Sequence, residues 1–352
     1  MTFEEGRALF PVLERLAYLN AGTNGPYATP TIEAMRAEAE WQLVEGRSGP
    51  AFLERAKGLR AAARERLAAL LDIDATLVAL TASTTDGCNI VSAGLGLGPD
   101  DEVVTTDSEH FGLIGPLHAS GARVVVVPPE ADRILAAVGS RTRLIAVSHV
   151  AWTTGALLPV EELREQSGVL MLVDGAQSVG AVPVRAGNAD FYTVSGQKWL
   201  CGPGETGGLY VADPERLRVA RPSYFAQSEH RPDGSFVPRP GAERFEPNWS
   251  ALPLLAGLVA AIDVAPEWRY ERAAAMAARC RELLAPVVEV LAGDATLVAF
   301  RPPSGLEPEA VVARLAEAGV VIRDLPGRNL LRASCGWWTS EDDLQRLADG
   351  VA

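Results

Sequence analysis

The chain has 352 residues, enough for one large domain and a smaller one, each with its own core. Its formal net charge of −13 argues against a nucleic-acid surface, which needs a basic face, but not against a local basic pocket. No apolar run reaches the roughly 18 residues of a membrane span, the acidic start Met1-Thr2-Phe3-Glu4-Glu5 lacks signal-peptide character, and Cys88, Cys201, Cys280 and Cys335 form no metal-ligand pair, so a reduced, cytoplasmic protein without a metal site is expected.

Residues 1–30 are turn-rich, and Asn20-Ala21-Gly22-Thr23-Asn24-Gly25-Pro26 is too broken for a regular element. Residues 30–71 follow a helical pattern rich in Ala, Glu and Arg. Short apolar runs then alternate with helical or turn segments, at 77–80, 102–105, 123–127, 144–147, 169–173, 191–194 and 208–211. Runs of this kind, bounded by turns, suit buried strands of a mostly parallel sheet. The stretch 221–248 is rich in Pro, Arg and aromatic residues and reads as a long surface excursion. Helices are expected at 251–264 and 267–284, separated by Pro266. From 294 onward the pattern is strand, helix (308–318), strand (320–323), strand (330–334), helix (340–351), an α+β unit.

The basic residues carry a bias. Of 32 Lys and Arg, only Lys57 and Lys198 are lysines. Arginine stays protonated and is a poor amine nucleophile, so a position that does amine chemistry must escape the bias. Lys57 sits on an ordinary charged helix face. Lys198 sits in Ser195-Gly196-Gln197-Lys198-Trp199-Leu200-Cys201-Gly202-Pro203, between a strand end and a Gly/Pro turn, with an indole beside it. Partial desolvation there would free the amine.

Upstream, the run 169–173 ends in Asp174, followed by Gly175-Ala176-Gln177-Ser178. In an open α/β sheet ligands sit at the carboxyl ends of strands, so Asp174 either caps a turn or faces a ligand. Thr81-Ala82-Ser83-Thr84-Thr85-Asp86-Gly87 joins a strand to a helix, a pattern that caps the helix or holds an anion at its N-terminus.

Together these segments resemble the class V aminotransferase family, enzymes of pyridoxal 5′-phosphate (PLP) fold type I. Asp174, Gln177, Ser195 and Lys198 match the family pattern in order and spacing, and the likeness extends over most of the chain. The resemblance implies an α/β fold: a large domain with a mostly parallel seven-stranded sheet flanked by helices, and a smaller α+β C-terminal domain. Residues 1–30 would line the active site, 31–264 form the large domain and 265–352 the small one.

It also implies roles. Lys198 would hold PLP as a Schiff base and move the substrate Cα proton, and Asp174 would keep the ring nitrogen protonated. Gln177 would bond the ring oxygen; Thr84, Thr85, Ser195 and Gln197 would serve the phosphate. His110, in Asp107-Ser108-Glu109-His110-Phe111, stands at the position of the aromatic that stacks on the ring, with Phe111 as the alternative. Arg332, in Asn329-Leu330-Leu331-Arg332-Ala333-Ser334, would clamp the substrate carboxylate. Asn20 and Trp152 would line the substrate side.

Departures from the family pattern narrow the chemistry. The stretch 321–328 lacks the nucleophilic Cys of cysteine desulfurases, and Cys335 falls after Arg332. Gln197 replaces a common His, and Trp152 stands where desulfurases have Asn, as in epimerase-like and C–S lyase-like members. The turn 243–248 lacks the usual Gly-Thr that reaches the partner subunit's phosphate. The expectation is a homodimeric PLP enzyme acting on a small amino-acid substrate or conjugate, in the isopenicillin-N-epimerase-like and C–S-lyase-like branch. Transaminase chemistry comes first, C–S β-lyase or epimerase second. A PLP-binding protein without catalysis is the rival of another class; a nucleotide-binding α/β protein is a second rival, disfavoured for want of Gly-x-Gly-x-x-Gly after the first strand.

Overall fold

A computed structural model describes residues 1–247 and 249–352. The N-terminal segment holds α1 (Phe3–Ala8) and β1 (Ala17–Tyr18). The first helix opens with a capping box: the Thr2 hydroxyl accepts from the Glu5 N–H, and the Glu5 carboxylate accepts from the Thr2 N–H.

The large domain follows as α2 (Thr29–Glu45), α3 (Gly49–Leu71), β2 (Val78–Thr81), α4 (Thr84–Leu95), β3 (Glu102–Thr106), α5 (Phe111–Ala119), β4 (Arg123–Val127), α6 (Ala131–Ala136), β5 (Thr142–Ser148), α7 (Val160–Ser167), β6 (Leu170–Asp174), β7 (Phe191–Ser195) and β8 (Gly207–Val211). The helical stretch expected over 30–71 is two helices, broken where Gly46 takes a positive φ of 88°. All seven expected strands lie in one sheet of order β2-β8-β7-β6-β5-β3-β4. Only β8 runs against the others, antiparallel to both its neighbours.

Both faces of this sheet are covered, which is why its strands read as unbroken apolar runs. Alternate residues go to opposite layers. Ile145, Val147, Met171 and Val173 pack with Phe52 and Leu67 from α3 and with Leu258 from the helix Leu252–Val264, while Leu144, Ala146 and Leu172 pack with Cys88, Val91 and Leu113 from α4 and α5. Each Val, Leu, Ile, Met or Phe among them contributes about 1.5–3 kcal/mol by burial.

The excursion 221–248 contains a hairpin, β9 (Gln227–His230) and β10 (Phe236–Pro238), and its far end is no surface loop. Phe245 enters the core, and buried Glu246 pairs with Arg60 and Arg64 and accepts from the Leu80 N–H. Asn248, the last residue of that stretch, lies outside the described residues.

After α8 (Leu252–Val264) come α9 (Arg269–Leu284), β11 (Leu297–Phe300), α10 (Pro308–Glu317), β12 (Val320–Val321), β13 (Arg323–Leu325), β14 (Leu330–Ser334) and α11 (Glu341–Val351). Three strands form an antiparallel sheet, β11-β14-β13. The N-terminal segment joins this unit: β1 pairs in parallel with β12, Asn20 bridges Ser334, and Ala17 and Leu19 enter its core. No helix among the described residues is long and apolar enough to cross a membrane.

Candidate active site

The chain runs outward from β3 to β4, then returns to β5 and continues to β6 on the other side, so the strand order reverses between β3 and β5. A crevice beyond the carboxyl ends of strands at such a reversal is where α/β sheets bind ligands. Here a cavity of about 240 Å³ is lined by Gly22, Thr23, Ser83, Thr84, Thr85, His110, Trp152, Asp174, Ala176, Gln177, Ser195, Gln197, Lys198, Arg323 and Arg332. A larger concavity of about 750 Å³, by His149 and Glu161, holds no lysine and is the weaker candidate despite its size.

Asp174 is the last residue of β6 and is buried. Its Oδ1 accepts from the Ala176 N–H at 2.8 Å and from the Thr193 hydroxyl at 3.4 Å. The carboxylate therefore does both things the sequence allowed: it closes the turn and lines the cavity. Gly175 is required there, because a Cβ would lie 2.2 Å from the Thr193 carbonyl oxygen.

Lys198 follows β7 and is half-buried, lining the cavity. Desolvation pulls its ammonium down from an ordinary 10.5 to about 8; Asp174 opposes the pull, and Arg332 and Arg323 add to it. A free amine is thus within reach near neutral pH. Ser195 and Gln197 are bound to each other, the serine hydroxyl donating to Oε1 at 2.8 Å. At the start of α4, Ser83 caps the helix by accepting from the Asp86 N–H, leaving Thr84 and Thr85 to line the cavity beside the helix N-terminus.

Gln177 is held on both sides. Its Nε2 donates to the Gly22 carbonyl at 2.9 Å and its Oε1 accepts from the Trp199 indole N–H at 3.0 Å.

His110 is the N-cap of α5, its Nδ1 accepting from the Gly112 N–H at 3.1 Å. With Nδ1 an acceptor, the neutral ring carries its proton on Nε2. Burial lowers its pKa, Lys198 and the two arginines reinforce that, and Asp174 opposes it. The ring meets Trp152 edge-on at 5.4 Å. Phe111 is 79% exposed, so of the two aromatics only His110 lines the cavity.

The side of the cavity formed by β13 and β14 is cationic. Arg332, on β14, is 1% exposed. Its Nη1 donates to the Trp152 carbonyl at 2.8 Å, while Nε and Nη2 are buried with no partner. Burial, then Arg323, pulls its pKa down to about 9, which leaves it charged at neutral pH. Arg323 lies directly opposite on β13 and reaches the Thr23 hydroxyl at 3.3 Å. Among the described residues no carboxylate forms an ion pair with either guanidinium. Two adjacent cations in one cavity, with buried donors of Arg332 unused, call for an anion.

Asn20 does not line the cavity. Its Oδ1 accepts from the Thr23 hydroxyl at 2.8 Å and its carbonyl from the Thr23 N–H, so it shapes the turn that presents Gly22 and Thr23 instead. Arg323 and Trp199 were missed as site residues. Arg323 had a signal: Pro326-Gly327 marks a turn, and a hairpin centred between Gly327 and Arg328 sets 323 opposite 332. Glu109 was missed as well. It is buried, accepts from Thr106 and from the Ser148 N–H and hydroxyl, and so ties β3 to β5; desolvation raises its pKa to about 7 against those hydrogen bonds.

The residues present fit PLP. A buried carboxylate for a ring nitrogen, an amide N–H for a ring oxygen, a helix N-terminus with hydroxyls for a phosphate and a desolvated lysine all line one cavity.

Known proteins agree with this reading. Residues 18–347 match the family Aminotransferase class-V. The chain is 28% identical to isopenicillin N epimerase of Streptomyces clavuligerus, over 99% of this chain and 97% of that one. It is 33% identical to a probable cysteine desulfurase of Methanothermobacter thermautotrophicus over 60% of this chain and 57% of the other. Among solved structures, a C-DES mutant with glycine covalently linked to its PLP cofactor superposes with a TM-score of 0.90 at 30% identity, covering 97% of this chain and 99% of that one. C-DES is described as a cystine C–S lyase, solved also with its product cysteine persulfide. A match across nearly the whole chain, to a family whose cofactor the cavity fits, places this chain in the class V aminotransferase family of PLP enzymes.

Proposed function

We propose that the chain is a PLP-dependent carbon–sulfur β-lyase acting on a small cysteine derivative that bears a second acidic group, such as a disulfide of cystine type. The observation that carries the substrate class is the cross-strand pair Arg332 and Arg323, two guanidiniums in one cavity with no carboxylate of the described chain to neutralise them. Arg332 takes the α-carboxylate through Nε and Nη2, and Arg323 takes the second acidic group. One cavity of about 240 Å³ must take cofactor and substrate together, which favours a small amino acid over a bulky conjugate.

The reaction type follows from the proton inventory. When bound, PLP supplies an electron sink that makes the Cα–H bond acidic. Lys198, whose amine gives up its proton at about pH 8 instead of 10.5, takes the Cα proton. His110, with its proton on Nε2 and Nδ1 committed to Gly112, is set up to donate a hydrogen bond to a departing sulfur, which leaves as its anion. It is poorly suited to be the second base that epimerisation needs. Breaking the Cβ–S bond then yields a thiol or persulfide, and hydrolysis releases pyruvate and ammonia. A desulfurase lacks its nucleophile here, because no cysteine among the described residues lines the cavity. Transamination, first in the sequence reading, makes no use of a hydrogen-bond donor placed for a departing group, so the lyase moves ahead of it. Likeness to C-DES supports the same choice.

A panel of L-amino acids with three readouts tests this: pyruvate with a sulfur species, a substrate-derived keto acid, and the D-isomer. Pyruvate and sulfur released from cystine is the expected result. A keto acid that retains the sulfur, or racemisation alone, would overturn it. The same reading takes the protein as a homodimer. Leu43 and Val44 are widely exposed, and Leu53, Phe225 and Trp249 line an apolar groove of about 350 Å³. A monomer mass by light scattering contradicts that part.

A further inference from the structure

We propose that Trp199 is a positioning residue whose indole N–H fixes the carboxamide of Gln177, so that Gln177 can offer the cofactor's ring oxygen a hydrogen-bond donor. This deepens the PLP reading and rests on it. Gln177 is buried and lines the cavity. Amide orientations are usually ambiguous, because oxygen and nitrogen can exchange places. Here they cannot. An indole N–H only donates, and a backbone carbonyl only accepts. The indole of Trp199 therefore requires Oε1 on its side at 3.0 Å, and the carbonyl of Gly22 requires Nε2 on the other at 2.9 Å. One Nε2 hydrogen is left over.

The lock ties three parts of the chain together. Trp199 is 2% exposed and packs with Phe10, Trp337 and Trp338, in the cluster that joins the N-terminal segment to the small domain. Gly22 belongs to the N-terminal segment, whose N–H donates to Ser334 on β14. The amide is thus oriented by the same residues that bring the substrate-side arginine into place.

A donor on an anionic oxygen stabilises the anion, so its loss makes the ring oxygen and the nitrogen bonded beside it more basic. Trp199→Phe keeps an aromatic ring and removes the N–H. Oε1 of Gln177 then loses its buried partner, and the amide is no longer held. The test is a pH titration of the visible absorption band of the holo-protein, without substrate. Trp199→Phe is expected to move the midpoint up by about one pH unit, a tenfold change in proton affinity. Gln177→Leu moves it at least as far, and the double variant no further, because Trp199 acts through Gln177. A packing role alone would give a Trp199→Phe shift that adds in full to that of Gln177→Leu. An unshifted midpoint, or full additivity, overturns the proposal. Benzothienylalanine at position 199 is an isostere without the N–H and must reproduce the shift even if the Phe variant folds poorly. A wild-type protein with no visible band after incubation with PLP sinks the cofactor reading instead; a normal wild-type band with an unshifted variant sinks only the role of Trp199.

Discussion

Replacing Arg332 with lysine keeps a positive charge and removes a geometry. In the native cavity Nη1 is committed to the Trp152 carbonyl at 2.8 Å, and Nε and Nη2 remain for a carboxylate. Hydrogen bonds to charged groups contribute about 1.5–3 kcal/mol each. Arg332→Lys forfeits at least one of them and has one ammonium to share between substrate and carbonyl. A loss of about 3 kcal/mol lowers kcat/KM roughly a hundredfold, since each 1.36 kcal/mol is tenfold. The assay is pyruvate release from the best substrate, compared with its α-carboxamide analogue. The acid should lose its advantage in the variant while the amide changes little. Thermal stability should not fall, because Arg332 has no carboxylate partner among the described residues to lose. A drop of less than about threefold, or equal drops for acid and amide, would refute the assignment of Arg332 to the α-carboxylate.

Three further outcomes are expected. Gly22→Ala puts a Cβ 2.6 Å from Nη2 of Arg332 and 3.0 Å from the Ser334 hydroxyl, so KM should rise strongly while PLP still binds; unchanged KM speaks against the placement of the arginine. Loading of PLP into the apo-protein requires a neutral amine, and burial brings Lys198 from 10.5 down to about 8. The loading rate should climb with pH up to about 8 and level off there, whereas a climb continuing past pH 10 would mean that the lysine is not desolvated. Burial also lowers His149 from 6.5 to about 4, so the unfolded chain binds more protons between those values. Stability from this group is complete above about pH 6.5 and lost as pH falls toward 4, and His149→Gln should flatten that acid limb in denaturant titrations.

Much of the fold was legible because the large sheet is buried on both faces. Strands such as Leu170–Asp174 carry no polar interruption, and the expected runs at 169–173 and 191–194 fall within one residue of β6 and β7. The direction of β8 was not legible, since an apolar run reads the same parallel or antiparallel. The pairing of β1 with β12 was hidden too: two residues are too short for a period, and their partners lie some three hundred positions away.

The same division holds at the site. Asp174, Gln177, Ser195 and Lys198 stand within 25 consecutive positions and carry a recognisable pattern, and all four line the cavity. Arg323 was lost among many arginines, and only the register of β13 on β14 singles it out. Trp199 was read as an apolar neighbour of the lysine; that its N–H meets Gln177 is a tertiary contact no local pattern encodes. Asn20 was favoured over Gly22 because side chains draw attention in a sequence, while here a missing side chain makes room for a guanidinium.

The most direct test of the central claim is borohydride reduction of the PLP-loaded protein, followed by peptide mapping. Lys57 is exposed and paired with Glu54, and Lys198 lines the cavity with Asp174, Arg332 and Arg323. A single phosphopyridoxyl adduct on Lys198, abolished in Lys198→Ala, is the predicted result. An adduct on Lys57, or none at all, would contradict the account.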